Sequence, residues 1–134
     1  MRVVIDTNVF VSSFFGGKPK KIIDLWKKGE IILCLSENII AEYIEVLYRL
    51  MGSDTKEIKD LLDLFSQGIN ILFTKSTPKL HVIKKDPDDN KFIECAVKLK
   101  ADCIVTGDNA LKEINQYFNI KILSPSDFLD DIQS

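Results

Sequence analysis

At 134 residues and 46% hydrophobic, the chain has the size of one globular domain with a substantial core, and it is too apolar to be disordered. A net charge of −2 selects no class of partner, and no apolar run reaches the roughly 20 residues of a membrane helix. A lone histidine, His81, and three cysteines without Cys-x-x-Cys spacing exclude a zinc site and a histidine triad, so any chemistry must lean on carboxylates. Cys34, Cys95 and Cys103 each lie among apolar residues and are read as buried free thiols. With no segment of export type at the start, the expected compartment is the cytoplasm.

Val3, Val4 and Ile5 form a β-branched run suited to a strand buried on both faces of a parallel sheet. Asp6, Thr7 and Asn8 follow where that strand ends. In open α/β sheets ligands gather beyond the carboxyl ends of the strands, so these side chains are aimed at a site, although the same residues also serve to turn a chain or cap a helix. Phe14-Phe15-Gly16-Gly17 then leads into a helix opened by Pro19, with Ile22, Ile23, Leu25 and Trp26 on its apolar face and Gly29 at its end. Lys18, Lys20, Lys21, Lys27 and Lys28 make this the most basic part of the chain, either as a solvated face or as a hold on a phosphate backbone.

Ile31 to Leu35 is a second strand, and Ser36 is positioned to cap a helix over Glu37 to Met51. Ile40, Tyr43, Ile44, Leu47 and Leu50 mark that helix's apolar face, and Glu42 lies beside it, closer to burial than Glu45. Asp54 and Glu57 have capping-box spacing ahead of a helix whose core residues are Ile58, Leu61, Leu62 and Phe65. Gly68 closes it before a third strand at Ile69 to Phe73. The stretch from Thr74 to Lys85, with Pro78 and His81, reads as an irregular connection.

Asp86-Pro87-Asp88-Asp89-Asn90 places three aspartates at one helix N-terminus, with Pro87 suited to position N1 and a helix running to about Lys100. The helix dipole welcomes any one acid there, but three exceed what capping needs, and a divalent cation would relieve their repulsion. Cys103 to Thr106 is a fourth buried strand, and Gly107-Asp108 delivers a second aspartate to the edge that Asp6 occupies. A short helix near Asn109 to Gln116, a last strand at Ile120 to Leu123 and a turn or helix after Ser124 complete one α/β domain over 1–134, a parallel sheet flanked by helices. Hard oxygen ligands without histidine or thiolate favour Mg²⁺ or Mn²⁺ and thus phosphate or phosphodiester chemistry.

Four of these segments together resemble the PIN-domain ribonucleases, which include VapC-like toxins of toxin–antitoxin pairs. Val4-Ile5-Asp6-Thr7-Asn8-Val9 is similar to the family's opening motif, and Ser36 through Glu42-Tyr43 to its acid-on-helix motif. Asp89 with Phe92, Ile93 and Ala96 has the spacing of the third acid, with Asp86 and Asp88 as alternative acids, and Ile104-Val105-Thr106-Gly107-Asp108 resembles the fourth motif. The resemblance runs from Val3 to Asp127. It implies that Asp6, Glu42, Asp89 and Asp108 converge on a catalytic pocket binding one or two Mg²⁺ or Mn²⁺ ions. Asp6 and Asp89 would be the main ligands and Asp108 a further direct or water-mediated one, while Glu42 would orient or deprotonate water, and Asn8 and Thr106 would support them by hydrogen bonds. Single-stranded RNA as substrate, a homodimer and a small antitoxin are implied in the same way.

Other readings fit less well. A phosphatase of the haloacid-dehalogenase type needs a second acid two residues after its nucleophile, where this chain has Asn8, and a receiver domain needs an acidic pair after its first strand, where Asp6 stands alone. A nucleotide-binding enzyme needs a richer phosphate loop than Gly16-Gly17. A catalytically inactive module that binds RNA or protein keeps the fold and remains the alternative.

Overall fold

The computed structural model describes residues 1–133. The chain runs β1 (Arg2–Ile5), α1 (Thr7–Ser12), a 3₁₀ turn (Ser13–Phe15), α2 (Gly17–Lys27), β2 (Ile32–Ser36), α3 (Glu37–Met51), α4 (Lys56–Gln67) and β3 (Ile71–Thr74). After a long connection come a second 3₁₀ turn (Pro87–Asp89), α5 (Asn90–Leu99), β4 (Cys103–Val105), α6 (Asn109–Ile114), β5 (Gln116–Tyr117), β6 (Ile120–Leu123) and α7 (Pro125–Gln133).

The sheet order is β3-β2-β1-β4-β6-β5, parallel except for β5, which pairs antiparallel with β6. β1 sits centrally because Val3, Val4 and Ile5 expose nothing and need cover on both faces. From β1 the chain moves outward through β2 and β3, then returns to lay β4 against the opposite side of β1. The reversal creates a switch point between β1 and β4, where a crevice opens at the carboxyl ends. Ile5 lies opposite Val105, so Asp6 and Thr106 emerge side by side, with the Asp6 amide donating to the Val105 carbonyl at 3.0 Å.

Packing holds that edge in place. Phe10 of α1 stacks on Tyr43 of α3, with ring centroids 4.0 Å apart and planes 6° from parallel, and the Tyr43 hydroxyl donates to the Ile5 carbonyl next to Asp6. On the far side the buried Trp26 indole donates to the Ile69 carbonyl at 2.8 Å, tying α2 to the approach of β3. Cys34, Cys95 and Cys103 are buried free thiols, as expected, and burial pushes them up to about 11, 12 and 12 respectively. Among the described residues no helix is long and apolar enough to cross a membrane.

Several boundaries differ from the sequence expectation. α2 begins at Gly17, two residues before Pro19, since positive φ at Gly16 and Gly17 turns the chain early. The buried face of α3 is Ile39, Tyr43 and Leu47, whereas Leu50 is 59% exposed and in the last turn it is Met51 that packs against the core. The Asp54 capping box does not form: Thr55 is the N-cap of α4 and makes no side-chain cap bond. β3 starts at Ile71 after Asn70 takes a positive φ. Positive φ at Asn115 and Phe118 folds the segment before β6 into a hairpin, which adds β5 where a helix end and a turn had been expected.

Candidate active site

Asp6 closes β1 and caps α1, so one carboxylate serves two elements. Its Oδ1 accepts from the Val9 amide at 2.9 Å, and its Oδ2 accepts from the Thr106 hydroxyl. Thr106 is fully buried, and its oxygen accepts in turn from the Asp108 amide at 2.9 Å. Asp108 caps α6 through the Leu111 amide at 3.1 Å. Strand end, threonine and two capping aspartates therefore form one connected unit across β1 and β4. Burial raises the Asp6 carboxyl above its ordinary value, and the Asp108 charge adds to that, against the opposing hydrogen bonds from Thr106, Val9 and Gly107.

Asp89 reaches the same unit from the 3₁₀ turn ahead of α5. Its carboxyl is pushed up to about 7, first by burial, then by the charges of Asp108 and Asp86, by a hydrogen bond shared with Asp108, and by Asp6. The Asp89 carboxyl therefore holds its proton to far higher pH than an ordinary aspartate, as happens when carboxylates crowd one another. What holds the turn is Asn90, which sequence reasoning did not single out. Its buried carboxamide accepts from the Val82 and Ile83 amides at 3.1 and 2.9 Å and donates to the Ile83 and Pro87 carbonyls at 2.9 and 3.0 Å. An asparagine directly after an acidic turn was the available signal, since only a side chain with both donors and acceptors can clamp a strandless loop.

Glu42 stands slightly apart. Its Oε1 accepts from the Thr7 hydroxyl and its Oε2 from the Lys91 ammonium, with the Glu42 side chain 25% and the Lys91 side chain 14% exposed. Lys91 also reaches Asp88 Oδ2 at 3.2 Å. The four predicted acids therefore divide into an Asp6, Asp89 and Asp108 group and a Glu42 group, which meet where Asp6 adjoins Thr7. Lys91 was missed as well. Its signal was a lysine in the first turn of a helix, where the dipole disfavours a cation unless carboxylates hold it.

The remaining candidates lie around this centre. Asp88 is 75% exposed and pairs with Lys91, while Asp86 is exposed and acts on Asp89 through its charge. Asn8 is exposed on the opposite lip, in a groove shared with Gly107, Asp108 and Asn109 that runs toward Pro19 and Pro125. Beyond that groove, Lys18 donates to the Ser126 hydroxyl at 2.7 Å, whereas Lys20 is paired with Asp24 at 2.9 Å. Lys21 and Lys28 face a cleft between α2 and α7. His81 is exposed and outside the site.

The donors suit a hard divalent cation. All are carboxylate oxygens, and the raised values of Asp6 and Asp89 record a negative field that such a cation would relieve. Among the described residues no three of these side chains already surround one point; capping amides and the Thr106 hydroxyl engage the Asp6 and Asp108 oxygens, and crowding favours the proton on Asp89. Loading a cation would displace that proton.

A family profile described as the PIN domain matches residues 2–110, which takes in β1 through the start of α6 and all four acids. The chain belongs to the PIN-domain family. The uncharacterized protein MJ1680 of Methanocaldococcus jannaschii is 32% identical over 148 aligned positions, covering 99% of this PIN-domain chain and 92% of the archaeal one. PIN domains are typically nucleases that act on nucleic acid and generally use divalent metals.

Proposed function

We propose that this PIN-domain protein is a Mg²⁺- or Mn²⁺-dependent endoribonuclease that hydrolyses phosphodiester bonds of single-stranded RNA. The observation that carries the reading is the placement of Asp6 and Asp108 at the switch point between β1 and β4, linked through Thr106, with Asp89 hydrogen-bonded to Asp108 and its carboxyl pushed up to about 7. In this reading Asp6 and Asp89 hold the ion, with Asp108 as a further contact. When bound, such an ion lowers the pKa of water and neutralises charge on a phosphoryl group under attack. Thr106 keeps the Asp6 carboxylate oriented, and Glu42, gripped by Thr7 and Lys91, orients the attacking water or takes its proton. Asn8 lines the lip next to Asp108, and Lys18 and Lys21, in the separate cleft between α2 and α7, offer contacts for the phosphate backbone.

A toxin role, with a homodimer and a small antitoxin lying over the acidic crevice, accords with this activity. The buried free thiols accord with a reducing, cytoplasmic setting. The test is cleavage of a labelled, mixed-sequence single-stranded RNA with Mg²⁺, Mn²⁺ or EDTA, run beside an identically prepared Asp6→Asn protein. Cleavage that requires metal and disappears in the variant supports the nuclease. RNA retention by both proteins, without cleavage and without metal binding by calorimetry, would favour the non-catalytic binding module.

A further inference from the structure

Resting on the nuclease reading, we infer that Lys91 supplies the positive charge on the Glu42 side of the crevice from within the chain, so that a single divalent ion, on the Asp6, Asp89 and Asp108 side, completes the centre. Both Glu42 oxygens already have donors, the Thr7 hydroxyl on Oε1 and the Lys91 ammonium on Oε2. The same ammonium contacts Asp88 Oδ2 at 3.2 Å, and its side chain is only 14% exposed. Lys91 is thus a tucked-in cation bridging two carboxylates, and the positive charge that a second cation would supply to them is already present. Its placement follows from α5: Asp89 on the preceding turn faces Asp108, while Lys91, two residues on, faces Glu42. The acids are therefore parted by one lysine into a half open to a metal and a half already neutralised. Glu42 is held for water rather than offered as a ligand, and Lys91 is a positioning residue that acts through it.

The test is calorimetric titration of the full chain with Mn²⁺ alone, at neutral pH and without RNA, for wild type, Glu42→Gln, Lys91→Met and Lys91→Arg. Wild type and Lys91→Arg are expected to bind a single ion. Glu42→Gln should shift its affinity by no more than about threefold, against the roughly tenfold or greater loss that removal of a ligand or its direct support brings. Lys91→Met, which leaves Glu42 Oε2 and Asp88 without their shared cation, should acquire a second, weaker Mn²⁺ site. In cleavage assays Lys91→Met should also be slower by about tenfold to a hundredfold, with partial rescue in Lys91→Arg. Two ions on the wild type, or a cooperatively melting Lys91→Met that binds one ion as the wild type does, would overturn the inference and leave the nuclease reading standing. Should Lys91→Met fail to fold, a tenfold affinity loss in Glu42→Gln overturns it instead. No Mn²⁺ on the wild type at all removes the nuclease reading and this inference together.

Discussion

Asp89→Asn is expected to stabilise the metal-free protein above neutral pH and to do so progressively less as the pH falls into the acid range. The Asp89 carboxyl ordinarily titrates at 3.8 and is pushed up to about 7 in the fold. Between those values the native chain binds a proton that the unfolded chain has lost, so this group's contribution to stability falls as pH rises through that window. Below 3.8 both states are protonated and there is no penalty; above about 7 the penalty is complete. Taken at face value the shift amounts to about 4 kcal/mol, but Asp89 is only half-buried and solvent screens it, so about 1–2 kcal/mol is the expected size. Asparagine has the shape of the protonated acid and can still donate to Asp108, so it removes the penalty without removing the contact. In EDTA the variant should melt roughly 3–8 °C higher than the wild type at about pH 8, and only about a third as far above it at about pH 5. A difference that is the same at both pH values, or a variant less stable at the higher one, would show that Asp89 is not crowded by Asp108 and Asp6.

Two further outcomes test neighbouring parts of the argument. Asn90→Ala removes the buried carboxamide that binds Val82, Ile83 and Pro87 and leaves their backbone groups unpaired, so denaturant melts should show a loss of about 2–3 kcal/mol. The same variant should lose cleavage even at temperatures where it is folded, and a stability loss with full activity would mean that Asn90 does not position Asp89. Saturating Mn²⁺ should raise the melting free energy of the wild type by about 2–3 kcal/mol at a hundredfold excess over its dissociation constant. EDTA should reverse the gain, and Asp6→Asn should show little of it; an equal gain in that variant would place the ion elsewhere.

Local chemistry was legible to the residue in places. α3 spans Glu37–Met51 as its pattern predicts, Ser36 caps it through the Ile39 amide at 3.3 Å, and Asp6 and Asp108 stand at strand ends because β-branched runs stop there. Such features depend on neighbours a few residues apart, which periodicity and capping rules describe. The errors also have local causes. Asp54 and Glu57 had capping-box spacing, yet the chain enters α4 one residue later, and Leu50 fitted the apolar spacing although Met51 is the residue that packs against the core there.

Sequence alone therefore determined the class of fold, the carboxylate character of the site and which strands deliver its acids. Tertiary structure decided how those acids are shared out. The order β3-β2-β1-β4-β6-β5 brings residues about a hundred positions apart, Asp6 and Thr106, into one hydrogen bond, and no local pattern specifies that pairing. It likewise set Lys91 against Glu42 and left Asp89 against Asp108, so that two residues nearly adjacent in sequence serve opposite halves of the crevice. The reason is physical: a residue's propensity and periodicity act through its own segment, whereas the charge it feels is set by whatever distant side chains packing brings within a few ångströms, where burial strengthens every interaction.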